Sequence, residues 1–222
     1  MPEHPEGSAR KPSARLQGSR PGGPERRRQI LREALHCFAT SGFRGTTTRE
    51  VARRVGITEA ALYRYFENKE ALYSAIIHEK IQAPDPLEGV AAAAAAGEDR
   101  AVFEGLARVI VETIEADPSF LRILLYTALE GHALAAPFFE TRIQRLRRFL
   151  AGYIERRSRE GAFRELDPML AARAFLGMVI DHLIVREIFG QRQIYPQSSQ
   201  VVTDTFVSIF LCGVRRPPEA VR

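Results

Sequence analysis

Residues 42–77 read GFRGTTTREVARRVGITEAALYRYFENKEALYSAII, and this stretch decides the fold. Thr47-Thr48-Arg49-Glu50 is a capping box: the Thr47 hydroxyl accepts from the amide three residues on, and Glu50 reaches back to the cap. Val51, Ala52 and Val55 give the helix from Thr47 to Val55 a small inner face. Gly56 suits the left-handed conformation that ends it, Ile57 plugs the turn, and Thr58 caps the next helix. Leu62 and Phe66, four apart, form the inner face of that third helix, predicted from Thr58 to about Phe66. Two short helices joined by a tight glycine-containing turn make a helix-turn-helix.

The outward side of the third helix sharpens this reading. Glu59, Ala60, Tyr63 and Arg64 cannot all be buried by so short an element. Tyr63 and Tyr65 carry hydroxyls on stiff aromatic arms, suited to phosphate oxygens or base edges. Lys69 stands at the start of the fourth helix, where an ammonium adds to exposed amides as a phosphate clamp. Eight helical residues measure about 12 Å, the width of the major groove, which such a helix enters with its N-terminal residues leading.

Outward from this core the chain stays helical. Residues 1–24 hold five prolines and four glycines without apolar periodicity, and are predicted to be a disordered basic tail. Residues 25–82 form the helix-turn-helix domain; its first helix carries Leu31, Ala34, Leu35 and Phe38 on one face and ends near Ser41-Gly42. Residues 83–97, with Pro84, Pro86 and the run Ala91 to Ala96, read as a connector: alanine is helix-compatible, but the run has no anchoring face. Residues 98–213 supply five further helices, punctuated by Asp117-Pro118, Gly131, Pro137, Gly161, Asp167-Pro168 and Gly190. No alternating apolar run bounded by turn residues marks a strand, so the class is all-α.

Charge follows the same division. The chain of 222 residues is 45% apolar and carries a net charge of +5. Residues 25–80 hold +4 of that, the tail +2, and residues 81–222 −1. An anionic partner for the N-terminal third is the implication. Two cysteines, Cys37 and Cys212, cannot form a disulfide framework. No uninterrupted apolar run reaches the length of a membrane span, and residues 1–24 lack the apolar segment of a secretory signal. These features predict a soluble, cytoplasmic protein without a membrane partner. Glu33 and His36 share the spacing of a di-iron ligand pair, but no second such pair occurs. Neither a Cys/His cluster, a phosphate loop nor a nucleophile-base arrangement is present, so no catalytic residue, metal or cofactor is expected. The helix from Pro137 carries Arg142, Arg145, Arg147, Arg148, Arg156, Arg157 and Arg159. With Glu140, Glu155 and Glu160 at helical spacing, it reads as a solvated face.

Phe38 to Leu72 fits, without a gap, the run F-x-x-x-G-F-x-G-T-T-x-x-x-[IV]-A-x-x-x-G-[IV]-T-x-x-x-L-Y-x-[YH]-F-x-x-K-E-x-L. It resembles the DNA-binding domain of TetR-type transcriptional regulators. The resemblance implies a homodimer that binds double-stranded, pseudo-palindromic operator DNA, with one recognition helix in each half-site. Carried over by position, Thr47 and Thr48 contact phosphate, and Arg49 reaches a base or phosphate. Thr58 heads the recognition helix, Glu59 and Ala60 face base edges, and Tyr63, Arg64, Tyr65 and Lys69 complete the DNA-facing set. Glu59 departs from a two-faced amide: an acid suits cytosine N4 but repels phosphate, and can instead cap its own helix or pair with Arg49 or Arg64.

The same resemblance makes the last two helices the dimer interface, with Gly177, Ile184, Ile188, Val202, Phe206, Ile209 and Phe210 as candidates. It also implies an effector pocket in the C-terminal domain, and the apolar character of the candidate lining residues points to a small, largely apolar effector. Tyr126, Phe139, Phe175, Met178 and His182 are the candidate wall residues, though plain core is the commoner fate of such side chains. Asp181 and His182 lie in an apolar context and need a partner: across a dimer, within a ligand cavity, or at a wet edge.

Overall fold

The computed structural model of the chain describes residues 22–131 and 133–216. The predicted tail therefore lies outside the described residues but for its last three, and so does His132. Eleven α-helices occur among the described residues, and the one β-type pairing there is an isolated bridge between Phe163 and Arg215.

Helix α1, Gly23–Gly45, opens on Pro24, whose missing N–H falls among amides that a first turn leaves unpaired. The predicted stop at Gly42 is a kink instead: the backbone takes φ 70° there and winds a further turn to Gly45. Helix α2, Thr48–Val55, is capped by Thr47 and ends at Gly56, whose φ of 74° lets its N–H reach back to the carbonyls of Ala52 and Arg53. Helix α3 spans only Glu59–Tyr63, shorter than the sequence pattern suggests. Hydrogen bonds from Leu62 N to Thr58 O and from Phe66 N to Leu62 O nevertheless carry the coil on to Phe66. Helix α4, Lys69–Gln82, starts on Asn68, whose side chain accepts from Ala71 N at 2.7 Å. Ile30, Val51, Leu62 and Leu72 are wholly buried between these four helices.

The connector departs most from expectation. Residues 88–90 form a 3-10 turn that runs into helix α5, Ala91–Ala96. Leu87, Val90 and Ala94 are buried in the second core. Val90 sits so close over Gly105 that a Cβ there would lie 2.6 Å from its Cγ1. The alanine run is thus anchored, because small side chains let it approach α6, Asp99–Ala116. The arginine-rich face supplies the other wall. Arg142 donates to Pro84 O, Arg145 pairs with Asp85 at 3.0 Å, Arg156 donates to Ala94 O, and Arg157 pairs with Asp99 at 2.8 Å. Three of the seven arginines predicted to be merely solvated therefore strap the connector down, and Arg157 holds the start of α6 beside it.

Helix α7, Ser119–Glu130, follows α6; next comes a short helix α8, Ala136–Phe138, joined by a π-helical turn at Phe139–Ile143 to α9, Gln144–Arg159. Helix α10, Pro168–Leu183, also widens into a π turn, at Ile184–Ile188, before α11, Ser199–Val214. Phe103, Phe175 and Phe210 meet at the middle of this second core, with ring centroids 4.8–5.1 Å apart. Helix α7 serves both cores: its Ile123 is buried against α1 and α4, while its Leu121 belongs to the second cluster.

Candidate nucleic-acid interface

Local chemistry presents α3 at the surface. Thr58 accepts from Ala61 N at 3.1 Å and fixes the start of the helix, while Leu62 is pinned inside. Ala60, Tyr63 and Arg64 are left exposed, with Tyr63 at 46%. Arg49 of α2 projects beside them with 87% of its side chain accessible. Thr48 is inward-facing and its hydroxyl is spent: it donates to Glu59 Oε1 at 2.5 Å and lies 3.1 Å from the Tyr63 hydroxyl. Glu59 Oε2 stands 3.7 Å from Arg49 Nε. Of the alternatives open for Glu59, the structure takes the pairing with Arg49 and adds Thr48. A Thr–Glu–Tyr cluster thus joins α2 to α3 through polar groups at the head of the reading surface.

Two expected roles change. Glu50 does not complete the capping box; its carboxylate is taken by Arg53 at 2.8–2.9 Å and Arg54 at 3.0 Å. Those guanidinium hydrogen bonds hold its carboxyl down to about 2. Lys69 points inward rather than out. Its Nζ donates to Phe43 O at 2.9 Å and Thr46 O at 3.0 Å, and sits 4.4 Å above the Phe43 ring. It braces the α1–α2 corner, with Tyr65 half-buried against the same core. Thr47 stays exposed, its hydroxyl accepting from Glu50 N at 3.2 Å.

A neutral-to-basic surface built on a short helix, carried by a corner braced from behind, is an arrangement for docking against a groove lined with phosphate. Residues 30–76 match the family of bacterial regulatory proteins of the tetR type, and residues 101–213 match the C-terminal domain of AefR-like transcriptional repressors. The chain belongs to the TetR family. Among its relatives, the HTH-type transcriptional repressor KstR2 of Rhodococcus jostii is 32% identical over 159 residues, covering 68% of this chain and 75% of that protein. The HTH-type transcriptional repressor Rv1474c of Mycobacterium tuberculosis is 28% identical over 183 residues, covering 81% and 89%. The fold is shared with solved structures. AibR in complex with isovaleryl coenzyme A and operator DNA superposes with a TM-score of 0.62 at 24% identity, over 83% of this chain and 97% of that one. The ketosteroid regulator KstR2 of Mycobacterium tuberculosis gives 0.61 at 24%, over 86% and 96%.

For a TetR-family regulator, the residues named as effector walls fall in separate places. Met178 and His182 line an open concavity of about 260 Å³ with Asp181, Val185, Tyr195 and Phe206. Phe139 lines another, of about 330 Å³, between the end of α7 and the first π turn. Phe175 is wholly buried in the aromatic core, and Tyr126 donates its hydroxyl to Thr40 O at 3.1 Å. His182 Nε2 is buried without a partner among the described residues, and burial with the nearby Arg186 lowers its pKa. Among the described residues no cluster of three or more metal-ligating side chains occurs.

The residues named for the dimer also divide. Gly177 and Ile209 are exposed, Ile209 at 58%, and Ile184, Ile188 and Phe206 are half-buried. Val202 and Phe210 are instead buried within the protomer, Phe210 against Phe103 of α6 and Phe175 of α10.

The junction between the domains left no mark in the sequence reading. Tyr73 and Thr127 share a buried hydrogen bond of 2.5 Å. Ser119 Oγ lies 3.2 Å from His36 Nδ1, so the His36 considered as half of a metal pair serves a contact to α7. Glycine at position 42, between two helical runs, signals the kink; the distant side chains that meet it carry no motif.

Proposed function

We propose that this TetR-family repressor works as a homodimer, binding palindromic operator DNA through Thr47, Arg49, Ala60, Tyr63 and Arg64, and is released by a small, largely apolar effector in the cytoplasm. The observation that carries the DNA reading is the exposed side of α3, where Ala60, Tyr63 and Arg64 stand clear of the core beside Arg49, which stays largely accessible while paired with Glu59. An alanine among larger groups leaves room for a base edge, and Tyr63 and Arg64 suit phosphate or base contacts. Support for dimerisation comes from the apolar side chains left open on α10 and α11, with Leu170, Val201 and Ile209 each at least half exposed. Met178 and His182, with Tyr195 and Phe206, offer an aromatic and polar lining for a ligand near that face.

Regulation then follows from geometry. The two half-sites fix one separation of the recognition helices, and a ligand that binds better to another separation weakens operator binding by its differential affinity. A second reading, a regulator without a small-molecule effector, draws on the filled centre around Phe103, Phe175 and Phe210. A footprint over the DNA flanking the coding gene tests both. Protection of two related half-sites, with affinity falling steeply in salt, supports the DNA reading, and absence of a discrete footprint overturns it. Titrating isovaleryl coenzyme A and free apolar carboxylic acids into that complex then separates the readings: release supports an effector, and unchanged affinity favours the second.

A further inference from the structure

The corner between α1 and α2 is held from two sides. From within the DNA-binding domain, Lys69 takes the carbonyls of Phe43 and Thr46. From the other domain, the last residue of α7 takes the amides: Glu130 Oε2 accepts from Phe43 N at 3.2 Å and Oε1 from Arg44 N at 3.4 Å. Arg44 returns a hydrogen bond to Glu130 O at 3.4 Å. Gly42 makes room for this: its φ of 70° turns the chain, and a Cβ there would strike the Glu130 carboxylate and come within 3.0 Å of Tyr126. Four residues beyond the kink, the Thr46 hydroxyl donates back to Gly42 O at 2.8 Å, and Thr47 then begins the reading surface. A carboxylate accepting two successive amides is what caps a helix start, and here the cap is supplied by another domain.

We infer that Glu130 is a positioning residue for DNA recognition: its carboxylate fixes the kink of α1, and through that corner the placement of Thr47, Thr48 and α3 relative to the effector domain. The inference rests on the reading that the α2–α3 surface binds DNA. It goes beyond that reading by making the end of α7 the point where the effector domain grips the reading head. Residues 127, 128 and 131 of that same turn line the larger concavity, so a change there is felt one residue away.

Charge alone and positioning predict opposite results, which makes the test decisive. Glu130→Gln removes a negative charge, so simple electrostatics tightens DNA binding. Positioning predicts the reverse, because the amide offers one acceptor where two amides need partners. Glu130→Asp keeps the charge but withdraws the carboxylate by one methylene, and by the same logic weakens binding. We expect each variant, with wild-type helix content by circular dichroism, to lose operator affinity about tenfold. Its dependence on salt is expected to keep the wild-type slope, since no phosphate contact is removed. Hydrogen exchange at Phe43 and Arg44 is expected to quicken in both. Wild-type affinity, tighter binding in Glu130→Gln, or unchanged exchange at those two amides overturns the inference. If one variant does not fold, the other carries the same test. A wild-type protein that protects no operator instead overturns the DNA reading itself.

Discussion

Tyr63 and Lys69 share one motif and one expected partner, yet the structure turns them in opposite directions. Tyr63 stands 46% exposed on α3, tied to the fold by a 3.1 Å approach to Thr48. Lys69 is drawn beneath the corner, with two carbonyls and a ring around its ammonium. Their substitutions therefore separate. Tyr63→Ala is expected to weaken operator binding by tenfold or more, roughly 1.4 kcal/mol, while the urea midpoint stays within error of wild type. Lys69→Met is expected to lower both, costing about 2 kcal/mol of stability through two lost charge-assisted hydrogen bonds. An unfolding curve and a salt-resolved binding isotherm on each variant check this; a Lys69→Met protein of wild-type stability counts against the brace. The spacing of residue types across the motif made the site legible, but not which member faces outward. That orientation depends on Phe43 O and Thr46 O, backbone groups that carry no side-chain signature.

Elements whose ends are chemically marked were the legible ones. Thr47, Gly56, Thr58, Asn68, Gly131 and Asp167 each stand at or beside a real terminus, because a cap is a local event decided within four residues. The connector was illegible for the complementary reason. Six alanines have no periodicity, and what fixes them is the closeness of α6 and Arg156 of α9, 62 residues along the chain from the Ala94 carbonyl it takes. Gly105 is the place to test this packing. Gly105→Ala puts a Cβ 2.6 Å from Val90 Cγ1, and overpacking of this kind costs about 1–3 kcal/mol. Val90→Ala in the same chain is expected to restore much of that loss, giving a coupling energy that distant sites do not show. Additive losses in a double-mutant cycle, followed by urea unfolding, would sink the anchored-connector account. The strap has a buried root as well: Asp99 accepts from both Tyr153 and Arg157, and burial followed by that hydrogen bond pushes the Tyr153 hydroxyl upward.

At the scale of the molecule, the open question is what covers α10 and α11. Pro168–Ile188 is long and apolar enough to cross a membrane by composition. Arg173 and Asp181 are exposed on it, which suits a protein interface with a polar component better than hydrocarbon. Gly177 sits between them with no atom within 4 Å of where its Cβ would be, and Gly213 of α11 is equally open. Within one protomer, then, a larger side chain at position 177 meets nothing and strains no left-handed backbone. Across a two-fold axis it would push apart helices that glycine lets approach. Gly177→Leu is accordingly expected to leave the thermal stability of the fold near wild type, beyond a small change in helix propensity. Its sedimentation mass should move from dimer toward protomer at micromolar concentration. Cys212, exposed on α11 three residues after the exposed Ile209, reports on that change independently. Thiol labelling at Cys212 should be slow in the wild-type dimer and faster in Gly177→Leu, while Cys37, buried and held as a thiol by that burial, reacts in neither until the chain unfolds. Operator affinity should fall further than either DNA half-site contact would explain, by about a hundredfold or more, because the second recognition helix is no longer delivered at high local concentration. A Gly177→Leu protein with wild-type mass and wild-type Cys212 labelling would place the partner surface elsewhere on the molecule.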